Sequence, residues 1–305
     1  MRNRYQKKVL GPVVANFRAT GRRGFSVGLV AETFNYTRQH YYKQKRDLQK
    51  KSDKDSQVKA LVLAERKLLP RIGGRKTHHL ISPHLQLHNI KFGRDKLFKL
   101  LRDNDLLIKP RRKYIQTTDS KHWMRKYPNA ARELELTAPE QLWVSDITYL
   151  KTEEGNCYLT MVTDAYSRKV MGYSIADNMD ATTVAKALQM AIKNRSFNHQ
   201  LIHHSDRGSQ YCSQDYVSIA RSAEIKMSMT EQSDPYENAL AERMNRTIKE
   251  EFCLDHQLKS RHQTYEAVKQ AIWLYNNYRP HQALSLKTPE QQHQKTQPPE
   301  AVGLI

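Results

Sequence analysis

The chain has 305 residues, of which 51 are lysine or arginine and 31 are aspartate or glutamate, and its formal net charge is +20. This length allows two domains that each bury a core. No long apolar run, export signal or lipidation motif occurs in the sequence. The composition therefore argues against a membrane protein and predicts a cytoplasmic one.

The positive charge is concentrated in the N-terminal part. Residues 1–130 contain 32 basic and 9 acidic residues, a net charge of +23, whereas residues 131–305 contain 19 and 22, a net charge of −3. We expect the first part to bind a polyanion such as DNA and the second to be an enzyme domain. An anionic membrane surface is the alternative polyanion, but no anchoring segment supports it.

Residues 1–57 are predicted to form a basic helix-turn-helix region. Apolar spacing from Ser26 predicts one helix, Asn35 suits a left-handed turn, and Thr37 suits the cap of a second helix. That second helix would present Arg38 and Gln39 to a groove of DNA. Any small helical domain could carry this pattern, so the surrounding positive charge is what favours DNA contact.

Residues 58–115 are predicted to form a second small helical DNA-binding unit, with helices near residues 58–69 and 94–103. A proline within the basic run that follows argues for an extended arm along a phosphate backbone. A solvated linker is the alternative. The basic residues of the predicted arm are Lys109, Arg111, Arg112 and Lys113. Residues 116–138 are predicted to be a linker, and residues 291–305 a flexible tail.

Residues 139–290 have the pattern of a mixed α/β domain. Two closely spaced turns separate the first three predicted strands, which favours an antiparallel meander, and the later strands alternate with helices. The predicted strands are 141–151, 157–163, 168–176, a short strand before Asp206, and 225–229, with helices at 181–194 and 213–223.

Three carboxylates in this domain are candidates for a metal site. Asp146 lies within an apolar strand, where an ionised side chain is unfavourable unless a cation or several donors satisfy it. Asp206 follows a strand and precedes a glycine turn, which directs it into the crevice beyond the strand ends. Glu242 lies 36 positions after Asp206, on a predicted helix. Three carboxylates without a nearby nucleophile suit phosphodiester cleavage with two divalent metal ions.

Several polar residues near these carboxylates are candidates for DNA contact. Three of them share the helix face of Glu242, at spacings of three, four and seven residues. A solvated charged face is the alternative interpretation of that helix taken alone. The candidates are Asn245, Arg246 and Lys249 on the helix, with Arg207 and Gln210 in the turn after Asp206.

Three motifs, in order and at this spacing, resemble the integrase-like core of bacterial insertion-sequence transposases. The similarity is to the second-frame protein of the insertion-sequence-three family, within the superfamily of Asp-Asp-Glu transposases and retroviral integrases. It covers about residues 20–290, and three motifs together are more specific than any one. The motifs are Asp146–Tyr149, His204–Tyr211 and Asp234–Arg243, followed by a C-terminal signature at Tyr275–Leu284 and Thr288–Glu290.

The resemblance implies a ribonuclease-H-like fold with a mixed five-stranded sheet behind the helix-turn-helix region. It also implies a transposase that cleaves 3′ ends and transfers strands, with Asp146, Asp206 and Glu242 as catalytic metal ligands. The expected cofactor is a pair of Mg²⁺ ions, for which Mn²⁺ can substitute.

The expected partners are double-stranded DNA, at element ends and target, and further copies of the chain. A first-frame transposase protein is a further candidate partner. A metal-dependent nuclease of the same fold and a non-catalytic DNA-binding regulator remain the alternatives. A nuclease would cut DNA without joining it, and a regulator would bind DNA without cutting it.

Overall fold

The computed structural model describes residues 27–33, 35–109, 125–132, 134–231 and 238–294. Of these, the residues up to Leu63 together with His84–Phe92 form one compact unit, called unit 1. Ala64–Pro83 and the residues from Gly93 onward form unit 2. No helix in the described ranges is both long and apolar enough to span a membrane.

The predicted turn between two N-terminal helices is present. Helix α1 covers Val27–Thr33 and helix α2 covers Arg38–Leu68. Asn35 has a φ of 56°, which is the left-handed conformation expected of it. The Thr37 hydroxyl accepts a hydrogen bond from the backbone N–H of His40 at 3.1 Å, as a helix cap does.

Helix α2 differs from the prediction in its length. It has 31 residues and continues without interruption across the boundary predicted between residues 57 and 58. The reason is that residues 44–60 contain no glycine or proline and many lysine, arginine and glutamine residues, which favour helix. The domain boundary at residue 57 is therefore corrected, and the last part of α2 belongs to unit 2.

Two shorter helices follow. Helix α4, Arg94–Asp103, was predicted, and its Leu97, Leu100 and Leu101 are buried. Helix α3, Gly74–Leu87, was not predicted, because Pro83 within it is a residue that normally ends or kinks a helix.

Unit 2 contains the five strands expected of a ribonuclease-H-like fold, which confirms the predicted fold class. The strands are β1 (Leu142–Thr152), β2 (Gly155–Asp164), β3 (Val170–Ala176), β4 (Ile202–Ser205) and β5 (Lys226–Met229), in the sheet order β3-β2-β1-β4-β5. Strands β1, β2 and β3 pair antiparallel, as the predicted meander requires, and β1, β4 and β5 pair parallel.

Helices cover both faces of the sheet. They are α5 (Ala181–Lys193), α6 (Gln214–Ser222), α7 (Ala239–Glu251), α8 (Arg261–Asn277) and α9 (Pro289–Gln294). Side chains of α5 and α6 share one apolar core with Trp143 of β1, and side chains of α7 and α8 share the other with Leu150 of β1. A sheet buried on both faces explains the nearly continuous apolar pattern of β1.

Gly172 shows how closely α5 approaches the sheet. A Cβ atom added to Gly172 would lie 2.1 Å from the carbonyl oxygen of Ala187 and 2.5 Å from the nitrogen of Ala191. Because both neighbours are backbone atoms, only glycine fits at this position of β3.

The chain remains ordered beyond the predicted end of the domain. Helix α9 continues to Gln294, and His293 is buried, with one ring nitrogen 3.1 Å from Glu140 and the other 3.0 Å from the Ser167 hydroxyl. A flexible tail would not make these buried polar contacts. The predicted start of the tail at residue 291 is therefore corrected. Residues 295–305 lie outside the described ranges.

Candidate active site

The parallel pairing of β1 with β4 brings two of the predicted carboxylates to one place. Val144 of β1 is opposite His204 of β4. Two residues farther along each strand direction are Asp146, within β1, and Asp206, just after β4. The carboxyl end of β4 therefore points its acidic residue toward the middle of β1, at an edge where α/β proteins commonly bind ligands.

The Asp146 carboxylate is in an unfavourable electrostatic environment. Burial and, next, the charge of Asp206 raise the pKa of Asp146 to about 7, with a smaller contribution from Glu242. Hydrogen bonds from the Ile147 N–H at 2.9 Å and the Asn245 amide at 2.8 Å act in the opposite direction but do not compensate. A nearby cation would relieve this repulsion.

Asp206 is oriented by the turn that follows it. The backbone N–H of Gly208 donates to Asp206 Oδ1 at 3.0 Å. A Cβ atom at residue 208 would lie 3.0 Å from the same oxygen and 3.1 Å from Gln210 Oε1. The absence of a side chain at residue 208 thus leaves room for the carboxylate and its hydrogen bond.

Helix α7 carries Glu242 and lies against β1. The Asn245 amide donates to Asp146, and Lys249 Nζ donates to the Thr148 hydroxyl and the Tyr149 carbonyl, each at 3.1 Å. Burial raises the pKa of Glu242, and Arg246 opposes that shift. Within the described ranges, no three histidine, cysteine, aspartate or glutamate side chains are grouped as a metal site.

Asn238 also connects α7 to the site. Its side chain does not cap the helix. Instead, the buried amide donates to the Ser145 carbonyl at 3.1 Å, next to Asp146 in the chain. Helix spacing alone favours a cap, whereas the observed bond depends on the docking of α7 onto β1.

The residues predicted to contact DNA lie in several places, and their DNA contacts stay predictions. Arg38, Gln39, Lys109 and Arg246 are exposed, and Arg207 and Gln210 are partly buried beside Asp206. The side chains of Asn245 and Lys249 bond to β1. Arg111, Arg112 and Lys113 lie outside the described residues, as do Asp234 and Glu237 of the third motif.

Three other polar residues of unit 2 have structural partners. Buried Asp164 accepts hydrogen bonds from the Glu140 and Ser167 backbone N–H groups, each at 2.7 Å, and so fixes the turn after β2. His204 is buried and bonds to Ser228 at 2.9 Å. Arg279 forms a partly buried ion pair with Glu251.

Comparisons with known proteins agree with this architecture. Two family models, both described as integrase core domain, match residues 137–235 and 223–289. The chain is 35% identical over 211 residues to the insertion element IS600 uncharacterized 31 kDa protein of Shigella sonnei, covering 68% of this chain and 78% of that protein. It is 32% identical over 213 residues to the transposase InsF for insertion sequence IS3A of Escherichia coli, and the match covers 69% of this chain and 74% of that protein.

Among solved structures, the chain is similar to the HTLV-2 integrase catalytic core domain in complex with magnesium. The two are 23% identical with a TM-score of 0.41, and the match covers 51% of this chain and 97% of that one. The relatives at 30% identity or more, and not this distant likeness, identify the family. The chain therefore belongs to the insertion-sequence-three family of transposases, polynucleotidyl transferases with an integrase core.

Proposed function

We propose that this transposase cleaves the 3′ ends of its element and joins them to target DNA, with Asp146, Asp206 and Glu242 as metal ligands. The observation that carries the proposal is the pair of partly buried aspartates, one within β1 and one just after the neighbouring β4, where burial and the charge of Asp206 raise the pKa of Asp146 to about 7. A protein maintains such repulsion at the expense of stability, and sites of this kind are commonly functional.

The donor set suits a hard divalent cation. The three side chains offer only carboxylate oxygens, which Mg²⁺ and Mn²⁺ prefer. Glu242 lies in the first turn of α7, and its charge contributes to the raised pKa of Asp146. Two bound metal ions would supply charge stabilisation for both the attacking and the leaving oxygen of an in-line displacement.

The neighbouring residues of the chain orient the carboxylates. Asn245 holds one oxygen of Asp146, and the Gly208 N–H holds one oxygen of Asp206. Arg246, one turn after Glu242, is exposed, which supports a role in neutralising a phosphate of bound DNA. Phosphoryl transfer depends on such positioning and neutralisation, so no protein nucleophile is required.

The proposed partner is double-stranded DNA, at the element ends and at the target. The net charge of +23 on residues 1–130 favours a polyanion, and Arg38 and Gln39 at the start of α2 are exposed. Bringing two element ends together requires more than one copy of the chain, and a first-frame protein is the further candidate partner.

The test uses a labelled duplex that carries the terminal repeat of the element. The full chain is incubated with Mg²⁺ or with EDTA, and Asp206→Asn and Glu242→Gln are compared with the wild type. We expect metal-dependent 3′ nicking and joined products from the wild type, and a decrease of at least about a thousandfold in either variant.

Three other results would contradict the proposal in different ways. Shorter products without joined ones would identify a nuclease. Tight end binding without cleavage, even after a first-frame protein is added, would identify a regulator. Unchanged cleavage by Asp206→Asn would show that the metal ligands are assigned incorrectly.

A further inference from the structure

The C-terminal end of α7 is held by a partly buried ion-pair cluster. The Glu251 carboxylate accepts two hydrogen bonds from Arg279 and one from Lys76, all at 2.7 Å. Burial alone would raise the pKa of Glu251, but the bonds and charges of Arg279 and Lys76 outweigh it, and the pKa is lowered. Glu251 is therefore ionised and paired, which makes it a firm attachment for the helix.

Arg71 binds backbone carbonyls at the same end of α7. Its backbone N–H donates to the Glu251 carbonyl at 3.2 Å, and its guanidinium donates to the Glu250 carbonyl at 3.4 Å. The last carbonyls of a helix have no partner within the helix, and a cation there also interacts favourably with the helix dipole. Arg71 thus caps α7 from a distant part of the sequence.

Apolar contacts fix the segment that supplies these two cations. Leu69 and Ile72 are buried in a cluster with Leu274 of α8. The Tyr278 hydroxyl donates to Glu65 at 2.9 Å. We call residues Glu65–Thr77 the brace, because polar and apolar contacts both attach this segment to the ends of α7 and α8.

We propose that the brace positions Glu242 in the active site by holding α7 through Lys76 and Arg71. This inference rests on the proposed function, in which Glu242 is a metal ligand. Toward its N-terminal end, α7 is attached to β1 by Asn238 and Asn245. In its last turn Lys249 also bonds to β1, and the brace holds the final residue of the helix. A helix of 13 residues moves largely as a rigid body, so release of one end changes the placement of a residue near the other.

The proposal gives a new role to sequence that was assigned to a DNA-binding unit. Lys76 is 8% exposed and pairs with a carboxylate of the enzyme, so it is not available to a phosphate backbone. Arg75, which precedes Lys76 in α3, is exposed and serves as a matched control. Lys76 is a positioning residue in this account, because it acts through α7 and touches no reacting atom.

The experiment compares Lys76→Met, Lys76→Arg and Arg75→Met in the full chain. Hydrogen exchange is followed at the first turn of α7, around Glu242, and Mn²⁺ binding is measured by calorimetry. We expect Lys76→Met to speed exchange at the first turn and to weaken Mn²⁺ binding, each by about tenfold. Lys76→Arg should restore both quantities, and Arg75→Met should match the wild type.

Faster exchange limited to the last turn of α7, with Mn²⁺ binding unchanged, would overturn the proposal and leave Lys76 as a local stabilising contact. If Lys76→Met does not fold, Lys76→Gln is measured instead, because it retains a donor. Absence of Mn²⁺ binding in the wild type would refute the proposed function. In that case, exchange at the first turn would still test whether the brace positions the helix.

Discussion

Asp146 and Glu251 are both partly buried acidic side chains in unit 2, yet their surroundings have opposite effects. Asp146 accepts hydrogen bonds from two neutral N–H groups and faces Asp206, and its pKa rises to about 7. Glu251 accepts hydrogen bonds from Arg279 and Lys76, and its pKa falls below the ordinary value. Glu251 is paired with cationic side chains of the same chain. For Asp146, we propose that bound metal ions supply the positive charge. A partly buried carboxylate left in repulsion is the better functional candidate.

The comparison predicts stability changes of opposite sign. Glu251→Gln leaves two buried cations without an anion, and we expect a loss of about 3 kcal/mol in the free energy of unfolding. Asp146→Asn removes repulsion and should increase the stability of the metal-free protein. Urea unfolding in EDTA measures both variants. Glu250→Gln, at the neighbouring position, is the control and is expected within about 0.5 kcal/mol of the wild type. A loss of stability in Asp146→Asn would contradict the comparison.

The same contrast predicts a pH dependence. Because the pKa of Asp146 is higher in the folded than in the unfolded state, the folded metal-free protein binds the proton more tightly, and stability falls as the pH rises from about 4 to about 7. The expected loss is roughly 2 kcal/mol, since each pKa unit is worth about 1.4 kcal/mol and partial exposure of Asp146 reduces the effect. Asp146→Asn should remove this dependence of stability on pH.

Glu251 should behave differently over that range. Its pKa is lowered on folding, so its stabilising contribution is present above the unfolded value of 4.5 and is lost only as the pH falls through the folded value. The free energy of unfolding of the wild type and of Asp146→Asn is therefore measured by urea unfolding in EDTA at several pH values between 5 and 8. Parallel stability curves for the two proteins would mean that Asp146 does not titrate in this window.

A smaller effect is expected from the turn that orients Asp206. Gly208→Ala places a methyl group 3.0 Å from the carboxylate oxygen, which must then shift by a few tenths of an ångström. We expect cleavage to decrease about tenfold with little change in stability, because catalysis is more sensitive to such displacements than folding is. Gly93→Ala, where no atom lies within 4 Å of the added carbon, is the control. Equal cleavage by both variants would indicate that the Asp206 position tolerates this shift.

The strands of the sheet and their antiparallel meander could be predicted from the sequence, whereas the brace could not. The strands of unit 2 have local signals, because β1 is apolar on both faces and short turns separate it from its antiparallel neighbours. The Lys76–Glu251 contact joins residues 175 positions apart, and no local periodicity indicates it. The spacing of Asn245 and Lys249 on the face of Glu242 was predicted, but their bonds to β1 depend on how the helix docks.

The order in which the chain passes through its two compact units has a practical consequence. The sequence leaves unit 1 after Leu63, returns to it at His84 and leaves it again after Phe92. No single cut of the chain can therefore divide the protein into its two units. A catalytic fragment that began at the predicted linker would lack the brace, expose the apolar surface around Leu274 and leave Glu251 with one cation in place of two. Inactivity of such a fragment would then reflect a missing piece of the enzyme as much as a missing DNA-binding region.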